Sequence, residues 1–221
     1  MRTLQEIGDS LGRRDIFTGG PVKDFERVGR LQCSLMIREG VYPSSKLVDI
    51  GCGCLRGGYW LIHFLDPGGY HGIEPNVAMV QTGLNEIVEP EVLREKRPTF
   101  DRNPVFDTSV FGIQFDAFLC RSVWSHTSKG QIETMLDNFL RDSTPSAFFL
   151  TSYLPAIWPW EDYRGTQYRG RSHISTATAL VKHRRGWIRN ACHKRGLSVI
   201  ELPDGIINNQ KWLKISKLSG R

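Results

Sequence analysis

Leu47-Val48-Asp49-Ile50-Gly51-Cys52-Gly53-Cys54-Leu55-Arg56-Gly57-Gly58 is the stretch that decides the fold. Its first four residues are a short apolar run, long enough for a buried strand and too short for a helix. The glycines that follow close the strand and let backbone N–H groups approach a ligand closely, at the positive end of a following helix. That helix is expected over Leu55–Leu65 and is stopped by Pro67, Gly68 and Gly69.

Tyr70–Ile73 reads as a second short strand ending at Glu74, and residues 76–87 place Val77, Val80, Leu84 and Ile87 on one helical face. Strand, helix, strand, helix with short breaks predicts a parallel sheet with helical crossovers. Upstream, Phe25, Val28, Leu31, Leu35 and Met36 predict a helix over 24–39, stopped at Gly40. The first 20 residues read as a loose lead-in that breaks at Gly19, Gly20 and Pro21, so residues 1–40 form a helical cap or lead-in to one domain spanning 1–221. Downstream, strands are expected at Phe115–Cys120 and Ala147–Tyr153, with a helix between them marked by Ile132, Met135, Leu136, Phe139 and Leu140. Residues 154–174, rich in Trp, Tyr, Pro and Gly, predict a long loop, and 176–193 a basic helix. Leu197–Leu202 and Trp212–Lys217 predict an antiparallel hairpin at the sheet edge.

The chemistry of the glycine turn is selective. Glu74 stands 23 positions after Gly51, where a carboxylate can accept both hydroxyls of a ribose. A nicotinamide fingerprint would require G-x-G-x-x-G, but Arg56 occupies the third glycine position. Asp49 would repel a pyrophosphate and attract a cation. S-Adenosylmethionine carries an ammonium and a sulfonium group and no phosphate, so an Asp-x-Gly-x-Gly turn suits it.

LVDIGCGCLRGG, YHGIEPN and FDAFLCRSVWSH together resemble the class I S-adenosylmethionine-dependent methyltransferases, over roughly residues 24–221. The resemblance implies an α/β, doubly wound (Rossmann-like) fold. Its mostly parallel seven-stranded sheet would have the order 3-2-1-4-5-7-6, strand 7 antiparallel and helices on both faces. It also implies that Asp49, Gly51 and Gly53 hold the methionine part of the cofactor and Glu74 the ribose, with Cys52 of the same turn among the cofactor-binding residues. Cys120 and Arg121 would lie beside the cofactor through their backbone. Asp101, Asn103 and Asp107 compete for the adenine.

Methyl transfer to oxygen or nitrogen needs a base near neutral pH, and His126 and His173 lie in regions that reach the catalytic edge. His183 and His193 read as solvated residues of the basic helix, while His63 and His71 carry no mark of function. Trp158, Trp160, Tyr163 and Tyr168 are candidates for an apolar substrate pocket or lid. No carboxylate cluster marks a metal site, because Asp142 stands alone, so metal-independent transfer is expected.

The chain has 221 residues and a formal charge of +6, with basic residues concentrated over 164–195. That field favours an anionic partner. The expected acceptor is a small molecule, acidic or sugar-bearing. An RNA acceptor and a non-catalytic cofactor-binding subunit are the rival readings, and a nucleotide-dependent oxidoreductase is disfavoured by Arg56 and Asp49. The absence of an apolar leader or a long apolar run predicts no secretory signal, no membrane span and a cytoplasmic protein. The five cysteines fit reduced thiols.

Overall fold

The computed structural model describes residues 2–170, 179–203 and 209–218. Seven strands form one sheet: β1 (Leu47–Ile50), β2 (Tyr70–Ile73), β3 (Thr99–Asp101), β4 (Phe115–Cys120), β5 (Ser143–Tyr153), β6 (Leu197–Glu201) and β7 (Lys211–Lys217). Their order is β3-β2-β1-β4-β5-β7-β6. β7 runs antiparallel to both neighbours, and the other pairs are parallel. The expected topology is therefore the observed one.

Side chains alternate across the strands and feed two apolar layers. Leu47, Ala117, Leu119, Phe148 and Leu150 face the first, covered by α1 (Leu4–Arg13), α2 (Phe25–Glu39), α3 (Gly58–Phe64), α4 (Val77–Thr82) and α5 (Pro90–Lys96). Val48, Ile50, Phe118 and Phe149 face the second, covered by α6 (Lys129–Asp142) and α7 (Arg185–His193). Covering both faces is what buries β1 without alternation; all four of its residues, Asp49 included, are buried.

The structure corrects the sequence reading at several places. The lead-in contains a helix: Thr3 and Glu6 cap α1 reciprocally, Thr3 Oγ1 accepting from Glu6 N at 3.2 Å and Glu6 Oε2 from Thr3 N at 2.7 Å. α3 begins at Gly58 rather than Leu55, because residues 51–57 are spent on the turn. β3, which the expected strand order requires, was not placed on particular residues, and α5 was not foreseen; β3 has only three residues. The basic helix starts at Arg185. Before it, Lys182 and His183 are extended and bridge to Asp162 and Pro155. His183 is consequently buried, its Nε2 3.1 Å from the carbonyl of Thr127, and not solvated. The residues 171–178 that were assigned partly to the loop and partly to this helix lie outside the described residues.

Three residues of the basic tract have acidic partners. Lys182 pairs with Glu161, Arg185 with Glu201, and Arg195 with Asp137 and Glu133. All five cysteines are buried and unpaired. No described helix is long and apolar enough to cross a membrane.

Candidate active site

The carboxyl ends of β1, β2 and β4 open into a cavity of about 410 Å³. This is where an open α/β sheet places its ligands. The turn after β1 forms its floor. Gly51 has φ +76°, and a Cβ there would stand 2.4 Å from Val123 Cγ2. The position therefore requires glycine both for backbone conformation and for space. Gly53 has φ +57° and donates its N–H to Glu74 Oε2 at 3.1 Å, fastening the turn to the end of β2. Glu74 Oε1 accepts from Asn76 N at 2.9 Å.

Two carboxyls dominate the electrostatics. Asp49 is 5% exposed and Glu74 2%, and no cation pairs with either among the described residues. Burial raises the pKa of Asp49 to about 7, against the opposing hydrogen bond that Tyr70 Oη donates to its Oδ2 at 2.8 Å. Burial likewise raises Glu74 to about 7, opposed by the amides of Asn76 and Gly53. Two buried, uncompensated carboxyls at a glycine turn fit a ligand that brings its own positive charge and hydroxyl donors.

Residues 17–21 form a wall of the cavity. Arg56 fixes that wall: its Nη2 donates to Gly20 O at 3.2 Å and Thr18 Oγ1 at 3.4 Å, and its guanidinium lies 4.5 Å from the centre of the Phe25 ring. Cys54 Sγ donates to Thr18 O at 3.4 Å. The residue that breaks the nicotinamide fingerprint thus braces the segment before α2. α2 itself lies tight on the turn, since a Cβ at Gly29 would stand 2.2 Å from Arg56 O.

The β4 side of the cavity carries Arg121, Ser122, Val123 and His126, with Tyr168 and Gln210 beside them. His126 Nδ1 lies 2.6 Å from the carbonyl of Arg169, and Tyr168 stacks on the ring at 5.8 Å between centroids. A carbonyl at Nδ1 selects the Nδ1–H tautomer and leaves Nε2 with its lone pair. Burial lowers the pKa of His126, which keeps the ring neutral near pH 7.

Not every expected residue reaches this cavity. Asp49, Gly51, Cys52, Gly53, Glu74, Arg121 and His126 line it together. Cys120 is buried behind it, with its Sγ 3.7 Å from Met135 Sδ and its carbonyl accepting from Thr151 Oγ1 at 3.0 Å. Asp101, Asn103 and Asp107 bond to one another instead of lining the cavity. Asn103 Nδ2 donates to Asp101 Oδ1 at 2.6 Å and to Asp107 O at 3.0 Å, and Asp107 also pairs with Arg141 at 2.6 Å. Of the loop aromatics, Tyr168 lines the cavity. Trp158 and Trp160 stack on each other outside it, 56% and 76% exposed. His173 lies outside the described residues. Sequence reasoning missed Gln32, Met79, Leu180 and Gln210; Gly19, Gly20 and Pro21 were read only as a chain break.

No protein-family model and no curated protein matches the sequence. Solved structures do match the fold. Magnesium protoporphyrin IX methyltransferase ChlM from Synechocystis PCC 6803, with bound S-adenosylhomocysteine, is similar at a TM-score of 0.64 and 16% identity, over 97% of this chain and 96% of that one. The glycopeptide N-methyltransferase MtfA complexed with S-adenosylmethionine is similar at 0.64 and 11%, over 86% and 94%. The sugar N-methyltransferase KedS8 from a Streptoalloteichus species is similar at 0.63 and 16%, over 92% of each chain. The fold is that of the class I S-adenosylmethionine-dependent methyltransferases.

Proposed function

We propose that this protein is a metal-independent, S-adenosylmethionine-dependent methyltransferase acting on an oxygen or nitrogen of a small molecule. The observation that carries the reading is the pair of buried, uncompensated carboxyls, Asp49 and Glu74, on either side of a turn that only glycine can make. Asp49 would hold the ammonium group and Glu74 the ribose hydroxyls, with the backbone of Gly51–Gly53 against the ligand between them. When bound, the cofactor supplies an electrophilic methyl group on a sulfonium sulfur; as the acceptor–methyl bond forms, the sulfur–methyl bond breaks and leaves a neutral thioether.

The chain's own contribution is positioning, exclusion of water and removal of a proton. His126 Nε2 takes the proton of the acceptor's hydroxyl or amine, while the Arg169 carbonyl holds the ring in the tautomer that permits it. A cavity of about 410 Å³ is in the range of small-ligand sites. The local pairing of Lys182, Arg185 and Arg195 leaves less free charge for a nucleic-acid phosphate backbone than the sequence count alone indicates.

Thermal unfolding with S-adenosylhomocysteine tests the reading, with NAD and NADP as controls. At 100 times its dissociation constant, a ligand stabilises by about 2.7 kcal/mol, which is roughly 5–10 °C for a chain of this length. The expected result is a shift with S-adenosylhomocysteine alone. No shift, or a shift with the dinucleotides instead, overturns it.

A further inference from the structure

Arg121 is the one cavity-lining cation for which the structure shows no hydrogen bond or ion pair among the described residues. Arg56, the other guanidinium there, is spent on Gly20 and Thr18. Neither Asp49 nor Glu74 neutralises Arg121. Burial, and after it the like charge of Arg56, lowers its pKa to about 10. A partly buried guanidinium that has, among the described residues, a like charge nearby and no anionic partner is costly unless a ligand completes it.

The backbone around Arg121 is held in place for such a ligand. Ser122 adopts φ +61°, uncommon for a residue with a side chain. Ser122 N donates to Ser152 Oγ at 2.8 Å, Ser152 Oγ donates to Gln210 Oε1 at 2.6 Å, and Gln210 Nε2 donates to Ser122 Oγ at 2.7 Å. This closed circuit of side chains joins the ends of β4 and β5 to the start of β7 and fixes the strained step beside Arg121. Strain held this way clusters at ligand sites.

We propose that Arg121 is the receptor for a carboxylate or phosphate-type oxyanion on the methyl acceptor. The assignment rests on the methyltransferase reading above. It follows from the order of the strands. Glu74, at the end of β2, fixes the ribose on one side of β1; β4 lies on the other side of β1, so Arg121 and His126 flank the end where methyl is delivered. A guanidinium fork there grips a planar oxyanion through two parallel N–H donors. The acceptor's oxygen or nitrogen is thereby placed beside His126. The same fork could in principle meet the cofactor's own carboxylate, and the test separates the two sources.

The affinities of S-adenosylhomocysteine and 5′-methylthioadenosine, which lacks the amino-acid tail, are measured by calorimetry on wild type and Arg121→Gln. Benzoate and benzamide are then titrated onto each protein, with and without S-adenosylhomocysteine. Expected is a wild-type preference for benzoate of at least tenfold, lost in Arg121→Gln and partly restored in Arg121→Lys, with the ratio of the two nucleoside affinities unchanged. Equal binding of benzoate and benzamide to wild type overturns the proposal. So does a collapse of the nucleoside ratio in Arg121→Gln, which would give the guanidinium to the cofactor. Failure of wild type to bind S-adenosylhomocysteine removes the methyltransferase reading instead, and the benzoate preference of the free protein still decides the oxyanion site.

Discussion

The Tyr70 hydroxyl donates to Asp49 Oδ2 at 2.8 Å, so the first residue of β2 holds the carboxyl carried near the end of β1. In the register of the sheet, Tyr70 pairs with Leu47 and lies two steps from Asp49, close enough for its ring to cross beneath the turn. Tyr70→Phe should leave the fold intact and strip Asp49 of its neutral donor. A hydrogen bond to a charged group is worth about 1.5–3 kcal/mol, so S-adenosylhomocysteine affinity should fall about tenfold or more. Unchanged affinity with an unchanged circular dichroism spectrum would show that Asp49 needs no such support.

Acid should favour the ligand-free protein. Asp49 and Glu74 titrate near 7 in the folded state, against about 4 in an unfolded chain. Between those values the folded protein holds protons that the unfolded chain has released, so the stability contributed by these two groups falls as pH rises through the window. His71, His126 and His183, whose pKa values burial lowers, act in the opposite direction. The carboxyl contribution is therefore read as the difference between wild-type and Glu74→Gln melting curves from pH 5 to 7.5. Ligand affinity should rise over the same range, with proton release visible by calorimetry in two buffers of different ionisation enthalpy. A pH-independent difference between the two melting curves would mean Glu74 is already ionised.

Gly51→Ala should be among the most damaging single-methyl changes in the chain. It forces alanine to φ +76° and drives a Cβ to 2.4 Å from Val123 Cγ2. Positive φ costs of order 1–3 kcal/mol, and the clash adds to it. Combining it with Val123→Ala should recover the clash and not the strain, so chemical denaturation should show partial rescue. Full rescue would deny the conformational argument.

Arg56→Met keeps an apolar stem near Phe25 and removes the donors to Gly20 and Thr18. Amide exchange over residues 17–21 should accelerate by tenfold or more while exchange in the sheet is unaffected, since local opening is governed by local contacts. Equal protection in both proteins would mean that the wall stands without its brace.

His126→Gln preserves a polar side chain and removes the base. With an acceptor in hand, kcat should fall 10²–10⁴-fold, the usual contribution of a positioned base, with a smaller change in KM. The wild-type rate should rise with pH to a plateau governed by a pKa below 6.5, in the direction burial moves this ring. A variant with full turnover would leave His126 as the partner of Tyr168 and nothing more.

The sheet was legible because its central strands are short, apolar and punctuated by glycine, and local periodicity is enough to read such elements. Asp49, Gly51, Gly53 and Glu74 were legible for a related reason: one strand–turn unit and the end of its neighbour carry them all. Gln210 and Leu180 were not, because they reach the cavity only after distant segments close over it. Asn103 and Asp107 mark a different limit of the sequence. Their residue types suit an adenine contact, but only the folded loop shows their hydrogen bonds spent on each other. The α1 cap was readable in Thr3 and Glu6, and was obscured by the glycines that follow it.

The 2.2 Å spacing at Gly29 has a reach beyond its own helix. A side chain at 29 could not be absorbed by a rotamer, because the atom it meets is the backbone oxygen of Arg56. α2 would have to back away from the turn or push it toward β2. The second movement would shift the turn whose Gly53 N–H is bonded to Glu74, from a residue that does not itself line the cavity. Gly29 therefore works as a shim whose thickness must be zero, and the calibration of the cavity floor is set in part by a residue on the far side of the turn.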